Sequence, residues 1–360
     1  MITALPAAAL YGCAKRTSVP LPAAPSLWPG KLAKPLIAAE RVTRVTVGLR
    51  PFRPLGFRIE RESVGEKTVV HNYGHGGGGM TLSWGSAERA VELLGPLPER
   101  VGVLGCGVMG LSTARILQQR GVAVKIYTKA IPPETTSNWS GAQWWPTSTH
   151  DNDKVSENYR DTFVAVVKRA YRLMQNYVGD RHGVEWRPNY FVGDEAFRDS
   201  LTLSPTGPLV ETQPEFRNLG PGQHSLPWRH LRSFQSMMME PNRYLRTLLE
   251  EYFAAGGKLE RRDLRSLTET PEQTVFNCLG LGAREVAADS TLVPIRGQLV
   301  VLLPQAGLDY NLLAGGYYLF PRKDGVLLGG TFDRGVETLT PDPEVTQRIL
   351  SAHRDIAAKL

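Results

Sequence analysis

The stretch VGVLGCGVMG, residues 101–110, decides the fold. Its first four residues predict a short buried strand, and Gly105-x-Gly107-x-x-Gly110 follows at once and opens a helix. In such a motif the first glycine permits the tight turn. The second lets a pyrophosphate approach the backbone, and the third allows close helix–strand packing. The amides at the helix start then bind phosphate.

The sequence after this motif completes a βαβ unit, with a helix to about residue 120 and a strand over 122–127. The motif predicts a dinucleotide site but does not distinguish NAD from FAD. The ribose-binding carboxylate expected after the second strand is absent from 127–130, which read YTKA. Lys129 stands there instead, and either contacts phosphate or ribose oxygens or is a solvated surface lysine.

A second glycine-rich segment lies upstream, where HNYGHGGGG occupies residues 71–79. A predicted strand runs into it from residue 68, and an amphipathic helix follows over 80–94. Successive glycines beside a helix N-terminus allow the backbone to approach a flat or anionic group. The spacing of His71 and His75 is compatible with a metal pair. No carboxylate or thiolate nearby completes a ligand set, so we predict no metal site.

Composition excludes several classes of protein. The 360 residues are 42% hydrophobic and 21% charged, which excludes general disorder. No apolar run approaches the roughly 18 residues of a membrane span. Cys13, Cys106 and Cys278 are too few and too scattered for a disulfide scaffold. The formal charge of +7 comes from dispersed basic residues rather than a run, so we expect no nucleic-acid partner and no membrane partner.

The remaining pattern divides the chain into segments. We predict strands over 41–48, 57–60, 274–277, 292–303 and 317–331, and helices over 155–177, 242–255 and 344–360. Residues 186–235 predict only short strands and loops. The predicted segments are a proline-rich arm (1–38), mobile or draped on the rest, a substrate-domain segment (39–67), cofactor-binding segments (68–150), mixed segments (151–255), a cofactor-binding segment (256–290) and a substrate domain (291–360).

Four stretches together resemble the D-amino-acid oxidase family, which is FAD-dependent. They are VVHNYGHGGGGMTLSWGSA (69–87), GLRPFRP (48–54), PIRGQ (294–298) and YLFPRKDGVLLGGT (318–331). The resemblance covers roughly residues 40–360. It implies an α/β fold in which a Rossmann-like FAD-binding domain is interwoven with an antiparallel-sheet substrate domain.

The order of these stretches differs from the family's. There the Gly-x-Gly-x-x-Gly strand begins the chain and the arginine and His-Asn-Tyr-Gly segments end it, whereas here those segments come first. The chain reads as a circular permutation joined through residues 95–100. The permutation predicts that the helix at 344–360 and the strand at 41–48 lie close together, because they would be consecutive in the family's order.

The resemblance also implies roles for individual residues. Arg50 holds the substrate carboxylate, Tyr318 adds a hydroxyl contact to the same group, and the Gly77 carbonyl accepts the substrate amine. Trp145 stands where some members place a polar residue near the substrate. The implied FAD-binding residues are Gly76, Gly78, Gly79, Met80, Thr81, Gly105, Cys106, Gly107, Val108, Met109, Gly110, Lys129, Thr135, Thr136, Ser137, Gly141, Ala142, Gln143, Leu264 and Gly280.

Two departures concern the family's lid. A second tyrosine often stands four residues before Tyr318, where this chain has Ala314, and the lid sequence LLAGGY (312–317) is small and glycine-rich. Members that act on acidic substrates carry a lid arginine, and the matching position here is Asn311. We therefore expect an open pocket and neutral or bulky D-amino acids rather than D-aspartate.

The implied reaction is oxidation of a D-amino acid by hydride transfer to flavin N5, with molecular oxygen as second substrate and release of the 2-oxo acid, ammonia and hydrogen peroxide. A related amine or glycine oxidase, a dehydrogenase with another acceptor, and a non-catalytic flavin-binding protein remain alternatives. We expect a cytoplasmic protein; the final Ala358-Lys359-Leu360 resembles a peroxisomal address and leaves that compartment open. A homodimer is also left open.

Overall fold

A computed structural model describes residues 28–360 of the chain. Its strands, in chain order, are β1 (Val42–Phe52), β2 (Arg58–Val64), β3 (Lys67–Tyr73), β4 (Arg100–Leu104), β5 (Ala123–Thr128), β6 (Val184–Gly193), β7 (Arg217–Leu219), β8 (His230–Met239), β9 (Lys258–Arg261), β10 (Thr274–Asn277), β11 (Val293–Leu302), β12 (Asn311–Ala314), β13 (Tyr317–Arg322), β14 (Gly325–Gly329) and β15 (Asp333–Arg334). The α-helices are α1 (Gly79–Glu92), α2 (Val108–Gln119), α3 (Glu157–Met174), α4 (Pro241–Ala254), α5 (Ala283–Val286) and α6 (Pro343–Lys359).

The smaller of the two sheets contains the βαβ unit. Its strand order is β2-β3-β10-β4-β5-β9, and every pair except β2 with β3 is parallel. The apolar strand β4 is buried in the middle, as expected for a parallel sheet covered on both faces. Helices α1, α2 and α4 pack on it through a core that includes Leu82, Leu111 and Leu248. The predicted Rossmann-like arrangement is thus present.

The larger sheet has the strand order β1-β11-β14-β13-β12-β6-β8-β7, with β15 paired to β11. All its pairs are antiparallel except β12 with β6. Strand β1 lies at the edge of the sheet and continues through Pro51. A proline has no backbone N–H to donate, and an edge strand tolerates this because only one of its sides pairs with a neighbouring strand. Helix α6 packs its apolar residues Ile349 and Leu350 on this sheet.

The sequence prediction for residues 186–235, which gave this region only short strands and loops, was wrong. The structure has two ten-residue strands, β6 and β8, paired antiparallel over their full lengths from Val184 with Met239 to Gly193 with His230. The intervening residues 194–229 hold β7, a short 3-10 helix (Val210–Thr212) and irregular structure. Strands paired across so long a connection are stabilised by contacts that no local pattern reports.

The predicted segment 39–67 contributes to both sheets, since β1 lies in the larger sheet and β2 pairs with β3 in the smaller one. Most of the proline-rich arm, residues 1–27, lies outside the described residues. Its last part lies against the larger sheet, where Ile37 is buried in the core. The Tyr310 hydroxyl donates to the carbonyl of Ala33 over 2.6 Å.

The prediction that the C-terminal helix lies close to β1 is confirmed. The Arg354 Nε donates to the carbonyl of Ile37 over 3.3 Å, and the Lys34 Nζ donates to the carbonyl of Ala358 over 3.4 Å. Ile37, Val42 and Ile349 belong to one apolar cluster. The structure therefore has the proximity that a permuted chain order requires.

Two findings bear on the composition arguments. Among residues 28–360, no helix is both long enough and apolar enough to cross a membrane. The same part of the chain brings no three histidine, cysteine or acidic side chains together in a way that would hold a metal ion.

Candidate functional site

A cavity of about 790 Å³ lies where the carboxyl ends of β4, β5, β9 and β10 meet the larger sheet. Ligands of open α/β sheets bind in this position because successive loops diverge there. Its wall is continuous from the residues after β9, such as Arg265, to Tyr318 on β13. The volume falls within the usual range for a small-molecule site.

The Gly-x-Gly-x-x-Gly turn forms one part of the wall. Gly105 has φ +104°, and a Cβ on it would lie 2.5 Å from the carbonyl oxygen of Cys278 on the neighbouring strand's end. Gly107 is extended and precedes α2, whose first amide, on Val108, donates to the Ser137 Oγ over 3.0 Å. The turn, the start of α2 and Ser137 thus line the cavity where a pyrophosphate would bind, and Gly105 and Gly107 place no Cβ there.

The part of the wall after β5 and β9 contains charged residues that sequence reasoning missed. Arg262, Asp263 and Arg265 line it, and the Arg265 Nη2 lies 2.9 Å from the Asp263 Oδ2. They escaped prediction because β9 has the sequence KLER, which carries no apolar pattern. Lys129 is exposed at the rim, within reach of both solvent and a bound dinucleotide.

The second glycine segment forms the wall between this turn and the larger sheet. Gly76 has φ +55°, and a Cβ on it would overlap the carbonyl oxygen of Ser148. That same oxygen accepts a hydrogen bond from the Gly77 amide over 2.9 Å. Helix α1 begins two residues later, at Gly79. The close approach of two backbones explains why side chains are not tolerated here.

The loop over residues 135–143 closes the same cavity from the other side. Its position depends on Arg322, a buried residue absent from the sequence predictions. The Arg322 Nη1 donates to the carbonyls of Ser140 (3.1 Å) and Gly141 (3.4 Å). The rest of its guanidinium pairs with both carboxylate oxygens of Asp324, at 2.8 and 2.9 Å. This fork neutralises the buried charge and fixes two backbone carbonyls beside the cavity.

Arg50 and Tyr318 meet in the wall that the larger sheet contributes. The Arg50 Nη1 donates to the carbonyl of Thr331 over 3.3 Å, and the guanidinium charge acts on the Tyr318 hydroxyl, which lines the same cavity. Gly297 is required beneath Arg50, because a Cβ on it would lie 2.5 Å from the Arg50 Nη1. A Cβ on Gly77 would lie 3.7 Å from the Arg50 Cδ, which places the glycine segment beside this pair.

Four ionisable side chains of the wall, those of Tyr318, His75, Cys106 and Cys278, are kept in their neutral forms by burial. Burial raises the pKa of the Tyr318 hydroxyl, against the opposing effect of the Arg50 charge, so the phenol stays a donor. Burial lowers the pKa of His75 to about 3, and its Nε2 lies 2.8 Å from the Ser86 Oγ. Burial also raises the pKa of the Cys106 and Cys278 thiols to about 12. No thiolate therefore forms at either cysteine near neutral pH.

Apolar side chains extend the wall beyond Tyr318. Leu313 on β12 is the register partner of Tyr318, and Phe191 on β6 is in turn the partner of Leu313. The Trp145 ring meets Phe191 edge-on at 4.8 Å. Phe197 lines the cavity from the following loop. Phe191 and Phe197 lie in the region that the sequence predicted least well.

Most of the residues proposed from the sequence line this one cavity, and three members of the FAD-binding set do not: Gly78, Thr81 and Gly110. Gly78 packs against Thr149, and Gly110 lies against the Gly105 backbone. The Thr81 Oγ1 donates to the carbonyl of Trp145 over 3.3 Å. These three residues support the wall from behind.

Asn311 also requires a correction. The resemblance matches it to the position of a lid arginine in family members that act on acidic substrates. The structure buries its side chain completely, outside the cavity wall, where its Nδ2 donates to the Asn189 Oδ1 over 2.9 Å. The neutral character of the pocket therefore rests on Leu313, Phe191 and Trp145 rather than on Asn311.

The Rossmann-like sheet, its glycine turn and the cavity that joins them to the larger sheet define a dinucleotide-dependent enzyme. A comparison with known protein families supports this class. The family described as FAD-dependent oxidoreductase (DAO) matches residues 14–93 and 100–360. Its two matched pieces meet where the sequence analysis placed the permutation joint. This chain belongs to the FAD-dependent oxidoreductase family.

Individual relatives carry more specific names. The chain is 32% identical to a D-amino-acid oxidase of Rubrobacter xylanophilus over 263 residues, which are 71% of this chain and 76% of that protein. It is 29% identical to a D-amino-acid oxidase of Streptomyces coelicolor, over 69% of this chain and 75% of the relative. The shared portion is close in length to the second matched piece alone.

Solved structures share the fold. The L-proline dehydrogenase of P. horikoshii superposes with a TM-score of 0.53 at 17% identity, covering 72% of this chain and 77% of that one. Glycine oxidase of Geobacillus kaustophilus gives a TM-score of 0.52 at 16% identity, over 71% and 78%. The family is FAD-dependent, and the glycine-walled cavity fits such a cofactor because the backbone is exposed along it without side chains.

Proposed function

We propose that the chain oxidises a D-amino acid to its 2-oxo acid, with release of ammonia and hydrogen peroxide. The observation that carries the proposal is that Arg50 and Tyr318 line the same cavity as the glycine turn, with the Arg50 charge acting on the pKa of the Tyr318 hydroxyl. A planar guanidinium beside a neutral phenol is suited to bind a carboxylate. The names of the curated relatives support the same substrate class.

The chain's own residues would bind and orient the substrate. Arg50 and Tyr318 donate hydrogen bonds to the carboxylate, and the Gly77 carbonyl accepts one from the amine. These contacts hold two of the four groups on the α-carbon, the carboxylate and the amine. The pocket then places the side chain, and the configuration of the α-carbon fixes the direction in which its hydrogen points. Such positioning is how a protein contributes when the cofactor carries the chemistry. Bound FAD supplies the acceptor for the α-hydrogen, transferred as hydride.

The apolar lining supports a neutral side chain on the substrate. Leu313, Phe191 and Trp145 present no charge to pair with a substrate carboxylate, and burying an unpaired carboxylate against them would be unfavourable. We therefore propose neutral D-amino acids as substrates, with D-aspartate poor. Molecular oxygen as the acceptor, a cytoplasmic or peroxisomal location and a homodimer stay predictions.

The test uses the purified chain reconstituted with FAD. Peroxide and 2-oxo acid are measured with D-alanine, L-alanine, glycine and D-aspartate, and an artificial electron acceptor replaces oxygen in a parallel anaerobic set. The proposal expects both products from D-alanine and little from the other three. Reduction of the artificial acceptor without peroxide would indicate a dehydrogenase. A flavin-loaded protein inert to every D-amino acid in both sets would overturn the proposal.

A further inference from the structure

The segment over residues 197–203 borders the cavity through one residue and belongs to neither sheet. It follows β6, and its first residue, Phe197, lines the cavity. Ser200 and Leu203 bridge to each other through their backbones. The carbonyl of Thr202 accepts hydrogen bonds from the Gln213 Nε2 (3.0 Å) and the Trp145 Nε1 (3.4 Å), and Leu203 packs in an apolar cluster with Phe191 and Phe234. One side chain on β8 makes further hydrogen bonds to four of its residues.

That side chain is Arg232, whose guanidinium is completely buried. It donates to three backbone carbonyls of the segment: Phe197 at 3.3 Å, Arg198 at 3.2 Å and Leu203 at 3.2 Å. A fourth bond reaches the Asp199 Oδ1 at 2.8 Å. A buried guanidinium is tolerated only where its donors and charge are satisfied, so the charge and the segment's conformation depend on each other.

Two aromatic rings flank the same guanidinium. Its central carbon lies 5.4 Å from the centre of the Phe197 ring and 5.7 Å from that of Phe216. Phe197 lines the cavity and Phe216 does not. The two rings therefore make similar contacts with Arg232 but differ in their access to a substrate.

The register of the larger sheet connects Arg232 to the carboxylate-binding end. Arg232 is the partner of Phe191, Phe191 of Leu313, and Leu313 of Tyr318. Residues in register across neighbouring strands share one face of a sheet. A substrate held by Tyr318 thus has a row of side chains beside it that leads through Leu313 and Phe191 to the segment that Arg232 holds.

We propose that Arg232 is a positioning residue that holds the segment 197–203 as a cap on the pocket for the substrate's side chain. The cap brings Phe197 opposite Trp145 and Phe191, and the resulting pocket selects large apolar side chains, aromatic ones above all. This inference deepens the proposed function and rests on it for the identity of the reacting group.

The first experiment compares Phe197→Ala with the matched control Phe216→Ala in the FAD-loaded enzyme. We expect Phe197→Ala to lower the ratio of kcat/KM for D-phenylalanine to that for D-alanine by about tenfold, through KM. Phe216→Ala should leave the ratio within about twofold of the wild type. Equal effects of the two substitutions, or no effect of either, would overturn the cap.

The second experiment concerns Arg232 itself. Arg232→Met removes the charge, the four bonds to the segment and a fifth bond to the Asn218 Oδ1, and Arg232→Lys keeps a charge with fewer donors. We expect the ratio of kcat/KM for D-phenylalanine to that for D-alanine to fall in Arg232→Met and to recover in part in Arg232→Lys. Cleavage by a protease within 197–203 should be fastest in Arg232→Met, slower in Arg232→Lys and slowest in the wild type. Parallel loss of activity towards both substrates, with unchanged cleavage, would contradict a positioning role.

A binding measurement separates this inference from the proposed function. Propanoate and 3-phenylpropanoate lack the amine of D-alanine and D-phenylalanine, so they can bind without reacting, and the flavin's visible spectrum reports binding. Tighter binding of 3-phenylpropanoate, lost in Phe197→Ala, supports the cap even if no D-amino acid is oxidised. Oxidation of D-alanine with equal binding of both acids would keep the proposed function and reject the cap.

Discussion

Arg50 is the residue on which the proposed substrate class depends most. Its guanidinium lines the cavity and makes one hydrogen bond, to the backbone carbonyl of Thr331, which leaves further donors for a ligand. A lysine would keep the charge but lose the planar pair of donors.

We predict that Arg50→Lys lowers kcat/KM for D-alanine by about tenfold to a hundredfold, mainly through KM, because a charge-assisted hydrogen bond to the carboxylate is lost. Steady-state kinetics of the FAD-loaded variant measures this. Arg41→Lys, just before the same strand and outside the cavity wall, is the control. Unchanged KM in Arg50→Lys would remove Arg50 from the binding of the substrate.

His75 predicts a pH dependence of stability. Burial lowers its folded pKa to about 3, below the unfolded value, so the unfolded state binds the proton more tightly. The stabilisation is complete above pH of about 6.5 and is lost as the pH falls towards about 3.

We predict that between pH 7 and pH 5 the free energy of unfolding falls by about 2 kcal/mol more in the wild type than in His75→Gln. Gln keeps a side-chain nitrogen for the bond to Ser86 but does not titrate. Urea unfolding at both pH values, with saturating FAD, measures the difference. His230→Gln, outside the cavity wall, is the control. Identical pH dependence in His75→Gln and the wild type would refute the assignment.

At the scale of single residues, the sequence led to Arg50, Tyr318 and most of the glycines of the cavity wall but not to its charged residues Arg262, Asp263 and Arg265. Arg50, Tyr318 and the glycines belong to motifs whose spacing is local, and all but Gly78 and Gly110 line the cavity. Phe197, Arg232 and Arg322 carry no local signal, because each acts through residues distant in the chain. Asn311 was misplaced for a related reason: its position along the strand is evident, but the side of the sheet it faces depends on pairing with β6.

At the scale of elements, the parallel strands and their helices were predictable because their apolar runs and glycine turns are self-contained. Strands β6 and β8 were not, since they include Pro188 and Arg232 and gain their stability from each other across a long connection. Helix α2, which follows the glycine turn, offers the clearest test at this scale. It packs close to the turn because Gly110 has no side chain.

We predict that Gly110→Ala raises the Kd for FAD at least about tenfold and lowers the thermal midpoint. The added Cβ would lie 2.8 Å from the Gly105 carbonyl carbon, so α2 must move away from β4 and carry its N-terminal amides with it. Fluorescence titration of the apoprotein with FAD measures the affinity. Gly220→Ala, where a Cβ would meet only the Gln223 side chain at 3.8 Å, is the control. Equal FAD affinity in both variants would contradict the role of the glycine turn in binding FAD.

At the scale of the whole molecule, the order of segments is unusual for the family that the sequence resembles, yet the contacts are those of one fold. The chain from Lys34 to β1 contacts α6, and a short connection joins α1 to β4. A fold depends on which surfaces pack together rather than on where the chain begins, provided the joined points are near each other. The permuted order stays a prediction from the order of the motifs along the chain.

The central claim is that this family member removes hydride from D-amino acids in a cavity walled by Arg50, Tyr318 and the glycine segments. Mixing the FAD-loaded protein with D-alanine or L-alanine without oxygen tests it most directly, with the flavin's visible absorbance as readout. We predict that D-alanine rapidly bleaches the flavin's visible absorbance and that L-alanine does not. At the same concentration of D-alanine, the bleaching should be slower in Arg50→Lys. Bleaching by L-alanine alone, or by neither enantiomer of any neutral amino acid, would contradict it.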